Sequence, residues 1–206
     1  LPIFPLILLS ACSNNILENL EEGKQKYQQG DCKGALPLFD KVLKKDKKVA
    51  EAYAFRAACK EKYNKLPEAL DDLNEAIHYD NTQASFFYNR GVVLSRTQNY
   101  VGAIKDFDEA IKLEPENPEF FLSKGANHAW MKEFEEAERS FDNAIKLKDN
   151  YADAFYYRGI LHGKNENYEK ALKDLTRAQE LYTEQNDKAN AEQAEQAIAN
   201  IKELSE

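Results

Sequence analysis

This chain predicts an all-α repeat protein, and three observations carry that reading. The first is a period. Written in blocks of 34 from Ile16, the chain divides into segments 16–49, 50–83, 84–117, 118–151 and 152–185 without a gap. The second is a shortage of turn formers: 8 Gly and 6 Pro in 206 residues leave few places for the tight reversals an all-β fold needs. The third is a hydrophobic content of 43%, with 11 Phe and 11 Tyr, enough for a sizeable core and against disorder.

Residues 1–11 (LPIFPLILLSA) are uncharged and almost wholly apolar, and the chain turns polar at Ser13-Asn14-Asn15. An apolar run ending in small residues reads as the hydrophobic part and cleavage site of a secretory signal. The basic start that normally precedes such a run and an initiator Met are missing, so the expectation is a signal peptide truncated at its start. Leu9-Ser10-Ala11-Cys12 resembles the lipobox of bacterial lipoproteins. That resemblance implies cleavage before Cys12, lipidation of Cys12, and a short linker over 12–15. The absence of Asp after Cys12 implies, by the rule described for enterobacteria, transport onward to the outer membrane. Cleavage after Ser13 would instead release a soluble exported protein, and a frayed apolar terminus is the third reading. No apolar run approaches the roughly 20 residues of a membrane-spanning helix.

From Ile16 onward the blocks share positions. In the last four, the fourth position is aromatic (Tyr53, Phe87, Phe121, Phe155) and the eighth is small (Ala57, Gly91, Gly125, Gly159). The twentieth is Ala69, Ala103, Ala137 and Ala171, and the twenty-seventh is Ala76, Ala110, Ala144 and Ala178. The twenty-fourth is Leu73, Phe107, Phe141 and Leu175. Each block reads as two helices joined by a polar turn such as Thr97-Gln98-Asn99. The small residues let the two backbones approach, and the twenty-fourth side chain fills the gap beside them. One helix pair cannot bury both faces, so the blocks must stack.

Block one departs from the pattern, with Asn19 at the aromatic position and Val42 at the twenty-seventh. Its Pro37 lies inside the expected second helix, which predicts a late start or a kink. Pro67 falls in the first turn of a helix, and Pro115 and Pro118 mark a block boundary. Residues 186–206 place Ala194, Ala197, Ile198, Ile201 and Leu204 on one helical stripe. That stripe reads as a capping helix, with a partner-binding amphipathic helix as the alternative.

These signature positions resemble the tetratricopeptide repeat (TPR) over about four fifths of the chain. The resemblance implies a right-handed superhelical solenoid of about five helix-turn-helix repeats plus the C-terminal capping helix. It also implies a binding protein whose first helices line a concave groove. Carried over position by position, that groove contains Tyr88, Val92, Arg96, Leu122, Ala126, Trp130, Tyr156 and Ile160. A subclass of the family clamps the C-terminal carboxylate of Hsp70 and Hsp90 with Lys and Asn side chains. The matching positions here are Ala54, Ala58, Asn89, Glu119 and Ser123, of which only Asn89 fits, so that clamp is not expected.

The remaining residues point away from catalysis. A formal charge of −8 and a pI near 5.1 disfavour nucleic acid as a partner. His128 and His162 share the eleventh position of successive blocks and read as stand-ins for Tyr in helix packing. No HExxH, CxxC or phosphate-binding Gly loop occurs. Acid pairs such as Asp71-Asp72 and Glu135-Glu136 read as a solvated face. Cys32 and Cys59 fall on helices expected to pack together, where a disulfide and two buried free thiols are both open. Lys41, Lys44, Lys45, Lys47 and Lys48 either complement a helix C-terminus or attract anionic headgroups near Cys12. The expectation is a non-catalytic scaffold without cofactor or metal, anchored in the bacterial envelope and binding a protein segment. A soluble exported module, a self-assembling module, a solute-binding protein and an enzyme are the alternatives.

Overall fold

The computed structural model describes residues 5–205, with side chains from Asn15 onward. Among these residues the chain is helical with no strand. The helices are α1 (Pro5–Gln28), α2 (Cys32–Lys45), α3 (Ala50–Lys62), α4 (Leu66–Tyr79), α5 (Ala84–Arg96) and α6 (Tyr100–Leu113). They continue as α7 (Pro118–Trp130), α8 (Phe134–Leu147), α9 (Ala152–Lys164), α10 (Tyr168–Glu184) and α11 (Lys188–Ser205). Two compact units form, α1–α5 up to Gln98 and α6–α11 from Asn99. The backbone of residues 5–14 is helical and runs into the rest of α1. Residues 1–4 and the Cys12 side chain, and with them the expected signal and acylation, lie outside what the structure describes.

The repeat positions explain how the helices pair. A Cβ on Gly23 would lie 2.7 Å from the Phe39 ring, one on Gly125 2.6 Å from Phe141, and one on Gly159 2.8 Å from Leu175. The eighth position is small because the twenty-fourth side chain of the same helix pair occupies its space. Ala69, Ala103, Ala137 and Ala171, like Ala76, Ala110, Ala144 and Ala178, are fully buried. The fourth-position aromatics are less so: Tyr53 is buried, whereas Phe87, Phe121 and Phe155 are half-buried. Ala52, Phe86, Phe120 and Ala154, one residue earlier, take the buried place.

A left-handed residue separates the two helices of each pair: Gly30, Asn64, Gln98, Lys132 and Glu166, with φ between 57° and 82°. The next amide then donates back five residues, as from Asp31 to Lys26 (2.8 Å), Lys65 to Lys60 (2.9 Å) and Asn167 to His162 (2.9 Å). This is the Schellman closure of a helix C-terminus. The same device joins α10 to α11, with Asn186 at φ 59° and the Asp187 amide donating to Tyr182 at 2.9 Å. Helix α11 therefore folds back as a hairpin partner and buries Ala194, Ala197 and Ile201, while Leu204 stays exposed at its end.

Pro37 does not delay its helix. Helix α2 starts at Cys32, because the Asp31 carboxylate accepts from the Gly34 amide at 2.8 Å and holds the first turn. The bond lost at Pro37 costs about 3 kcal/mol. Burial of Leu38, Phe39, Val42 and Leu43 more than offsets it, at roughly 1.5–3 kcal/mol per large apolar side chain.

The expectation of a solvated acidic face also fails at one residue. Asp71 is exposed, but Asp72 is only 3% exposed. Arg56 on α3 donates to both Asp72 oxygens (2.9 and 2.6 Å), and Lys60 adds a contact at 2.6 Å. The third Arg56 nitrogen reaches Asp40 on α2 at 2.7 Å, so one guanidinium ties α2 to α4. The second unit repeats the arrangement. Arg158 on α9 donates to both oxygens of Asp174 on α10 (2.7 and 2.8 Å) and to Asp142 on α8 (2.5 Å). Burial alone would weaken these guanidinium charges, but the carboxylates outweigh it and hold both above the ordinary Arg range. Lys124 on α7 makes a weaker rung: it reaches Asp108 at 2.7 Å, but Ser140 stands where Asp174 stands in the next block. The fourth-position rings lie over the cations, Tyr53 at 5.4 Å from Arg56 and Phe155 at 5.5 Å from Arg158. The half-exposure of Phe155 follows from that role.

Candidate protein-interaction site

Within the second unit, α7 and α9 enclose an apolar cavity of about 160 Å³. Ala126, Ala129 and Trp130 line it from α7, and Tyr157, Ile160, Leu161 and Lys164 from α9, with Phe141 of α8 completing it. The small Ala126 and Ala129 leave the space, and Trp130, Tyr157 and Phe141 wall it. Trp130 is the last residue of its helix and is 69% exposed. Its ring stacks on Tyr100 at 6.3 Å, with 6° between the planes. Tyr157 is 45% exposed. Exposed large aromatics beside an apolar cavity are where binding energy concentrates. Lys164 is exposed and makes no ion pair among the described residues, so the cavity carries one cation at its rim.

The structure distributes the residues expected to form the groove unequally. Ala126, Trp130 and Ile160 meet at this cavity, and Leu122 packs on the cluster of Ala137, Phe141 and Leu161 beneath it. Tyr156 does not stand free: it packs against the two buried clusters to which α11 contributes Ala194, Ala197 and Ile201, it bonds Gln193, and burial raises its hydroxyl pKa above the ordinary value. Ile160 also packs against the cluster of Ala171, Leu175, Ala197 and Ile201. Gly163 makes room for α11, since a Cβ there would lie 2.5 Å from Ile201. In the first unit, Tyr88 and Val92 are half-buried and Arg96 is exposed. Arg96 is held sideways by Glu61 (2.7 Å) and Asn64 (3.0 Å). Tyr157, at the sixth position of its block, was not expected at the site; its one signal was the aromatic run Phe155-Tyr156-Tyr157.

A larger concavity of about 870 Å³ opens along α8, α9 and α10, lined by Glu138, Asp142, Arg158, His162, Lys170 and Asp174 among others. It is the open edge of the ion ladder, and its charges answer one another. His162 lies 3.6 Å from Asp174 and 3.7 Å from Glu138. Burial nevertheless lowers its proton affinity below the ordinary His value. Lys170 also reaches Glu138, at 3.7 Å. His128 and His162 are both buried, as their packing role requires, and His128 contacts Glu133 at 2.7 Å. Among the described residues no three His, Cys, Asp or Glu side chains converge as metal ligands. Cys32 and Cys59 are buried and unbridged, and burial followed by contact with Cys32 pushes the Cys59 thiol up.

Two tetratricopeptide repeat family models match the chain, one over residues 84–117 and the other over 20–82 and 131–186. The crystal structure of MamA superimposes with a TM-score of 0.74 at 22% identity, covering 80% of this chain and 96% of that one. The crystal structure of YrrB, a TPR protein with an unusual peptide-binding site, superimposes with a TM-score of 0.71 at 25% identity, covering 86% and 90%. The Hsp70-Hsp90 organizing protein of Triticum aestivum is 29% identical over 76 residues, 37% of this chain. The chain spans only 13% of the length of that curated relative.

Proposed function

Because the chain belongs to the tetratricopeptide repeat family, whose members act as protein-interaction scaffolds, we propose that it binds a protein segment through the α7–α9 cavity and performs no catalysis. The observation that carries this reading is Trp130, 69% exposed at the rim of an apolar cavity with an unpaired Lys164. A cavity of about 160 Å³ suits one bulky aliphatic or aromatic side chain of the segment, and Trp130 and Tyr157 would cover it. The peptide-binding site of YrrB supports a peptide as the partner. The chaperone clamp is absent from this reading despite the short match to the Hsp70-Hsp90 organizing protein, since Ala54 and Ala58 carry no charge or amide to hold a carboxylate. The reading also includes an anchor: Leu9-Ser10-Ala11-Cys12 would be cleaved and lipidated, holding the scaffold in the bacterial envelope, at the outer membrane.

The test is selection of peptides from a displayed random library by the purified chain. A convergent motif with one bulky apolar residue is the expected result. Trp130→Ala should weaken the selected peptide about thirtyfold, the loss of a hot spot worth about 2 kcal/mol. Binding unchanged in Trp130→Ala and Ile160→Ala would move the site elsewhere. For the anchor, Cys12→Ala should release the protein from membranes, and retention at high salt would contradict it.

A further inference from the structure

Between residues 33 and 48 the chain carries six lysines against two aspartates, within a protein of formal charge −8. On α2, Lys33, Lys41 and Lys44 fall on the helix side away from the buried Leu38, Phe39, Val42 and Leu43, Lys45 flanks that face toward α1, and all four are exposed. Lys47 and Lys48 extend the patch into the turn before α3, also exposed. Both aspartates are occupied: Asp40 by Arg56 and Asp46 by the Lys48 amide. Among the described residues, Lys33, Lys41, Lys44, Lys47 and Lys48 make no ion pair. Favourable charge at a helix C-terminus acts only within the last turn. It accounts for Lys44 and Lys45, but not for Lys41, for Lys33 at the opposite end, or for the two lysines beyond the helix.

Their placement narrows the partner. Lys45 donates to the Asn15 side chain on α1, which fixes the lysine-rich end of α2 beside the N-terminal part of α1. Upstream of Asn15, α1 continues as helical backbone to Pro5, and residues 5–11 of that stretch are almost wholly apolar in sequence. An unpaired cationic face and an apolar segment therefore leave from the same end of one helix pair. A polyanion in water would use the first and have no need of the second. A bilayer surface uses both, headgroups for the lysines and acyl chains for the apolar run or, once that run is cleaved, for the lipidated Cys12 that heads the same helix.

We infer that the lysine face of α2 and its following turn docks on an anionic lipid surface and orients the protein on it. The inference concerns the same membrane as the proposed anchor but does not depend on acylation of Cys12. The experiment therefore uses the full chain carrying Cys12→Ala. Sedimentation is measured with phosphatidylcholine vesicles, with and without phosphatidylglycerol, at about 0.1 M salt, where surface charges act over roughly 10 Å. The expected result is at least about tenfold stronger partitioning onto the anionic vesicles, lost at high salt. Replacing Lys41, Lys44, Lys45, Lys47 and Lys48 by Gln should abolish that preference and leave weak binding to neutral vesicles unchanged. A control replaces the exposed Lys105, Lys146, Lys173, Lys188 and Lys202 by Gln, changing net charge equally, and should keep the preference. Circular dichroism confirms that both variants fold. Equal loss in both variants would reduce the effect to net charge and overturn the inference. So would an unchanged preference in the first variant, or binding to duplex DNA as strong as to the vesicles.

Discussion

Arg158→Ala is the substitution whose cost the ion ladder makes calculable. It removes three hydrogen bonds and strands Asp174, whose side chain is 7% exposed. The nearest remaining cation candidate is His162 at 3.6 Å, whose proton affinity burial lowers below the ordinary His value. Removing one partner of a buried ion pair costs about 3–5 kcal/mol. For a chain of this size each kcal/mol is about 2–4 °C, so Tm should fall by about 6–20 °C. Lys124→Ala, at the same repeat position, leaves behind Asp108, which is 42% exposed and rehydrates, so it should cost under about 1 kcal/mol. Arg158→Leu with Asp174→Leu, which removes both charges, should recover most of the loss. Thermal unfolding by circular dichroism and calorimetry at pH 7 reads all three. Equal losses for Arg158→Ala and Lys124→Ala, or a double variant as damaged as the sum of its parts, would refute the reasoning.

Gly125→Ala should destabilise by about 1–3 kcal/mol, because the new Cβ would sit 2.6 Å from the fully buried Phe141 ring; denaturant midpoints measure it. Asn127→Leu should stabilise by about 1 kcal/mol in the same assay. The buried Asn127 Oδ1 has no hydrogen-bond partner among the described residues, and Leu161 already fills the equivalent place in the next block. His162 takes a proton less readily folded than unfolded, so stability should fall as pH drops below about 6.5, where the unfolded chain protonates first. His162→Leu should flatten the Tm profile between pH 7.5 and about 5.5; an unchanged slope would assign that dependence to other groups.

The helix pairs were legible because their determinants are steric and recur at one spacing. Gly125 must be small to admit Phe141, and the same exclusion repeats at Gly23 and Gly159, so the period carries the packing. The ladder was hidden because an acidic pair looks solvated when read alone. The signal lay in the partner cations, Arg56, Arg90, Lys124 and Arg158, spaced by 34 residues, which assign Asp72 and Asp174 to buried ends. The polar turn at Thr97-Gln98-Asn99 was legible but not its left-handed residue, since among the turns inside the repeats only Gly30 and Asn64 have a chemistry that suits that conformation. Gln98, Lys132 and Glu166 adopt it because the hairpin closure demands it. At the candidate site, Trp130 and Ile160 followed from repeat position. The packing of Tyr156 against the clusters that α11 completes did not, because it depends on how the final hairpin folds back, and Tyr157 stands at the sixth position of its block, which the carried-over groove did not include.

The central claim, a segment seated over the α7–α9 cavity, has a built-in reporter, since Trp130 is the chain's single Trp and is 69% exposed. Intrinsic fluorescence of the purified chain titrated with a selected peptide should shift to shorter wavelength and saturate at the affinity measured independently by calorimetry. The shift should weaken about tenfold or more in apparent affinity in Ile160→Ala. Saturable binding by calorimetry with no change in Trp130 emission would place the partner elsewhere on the protein and contradict the account.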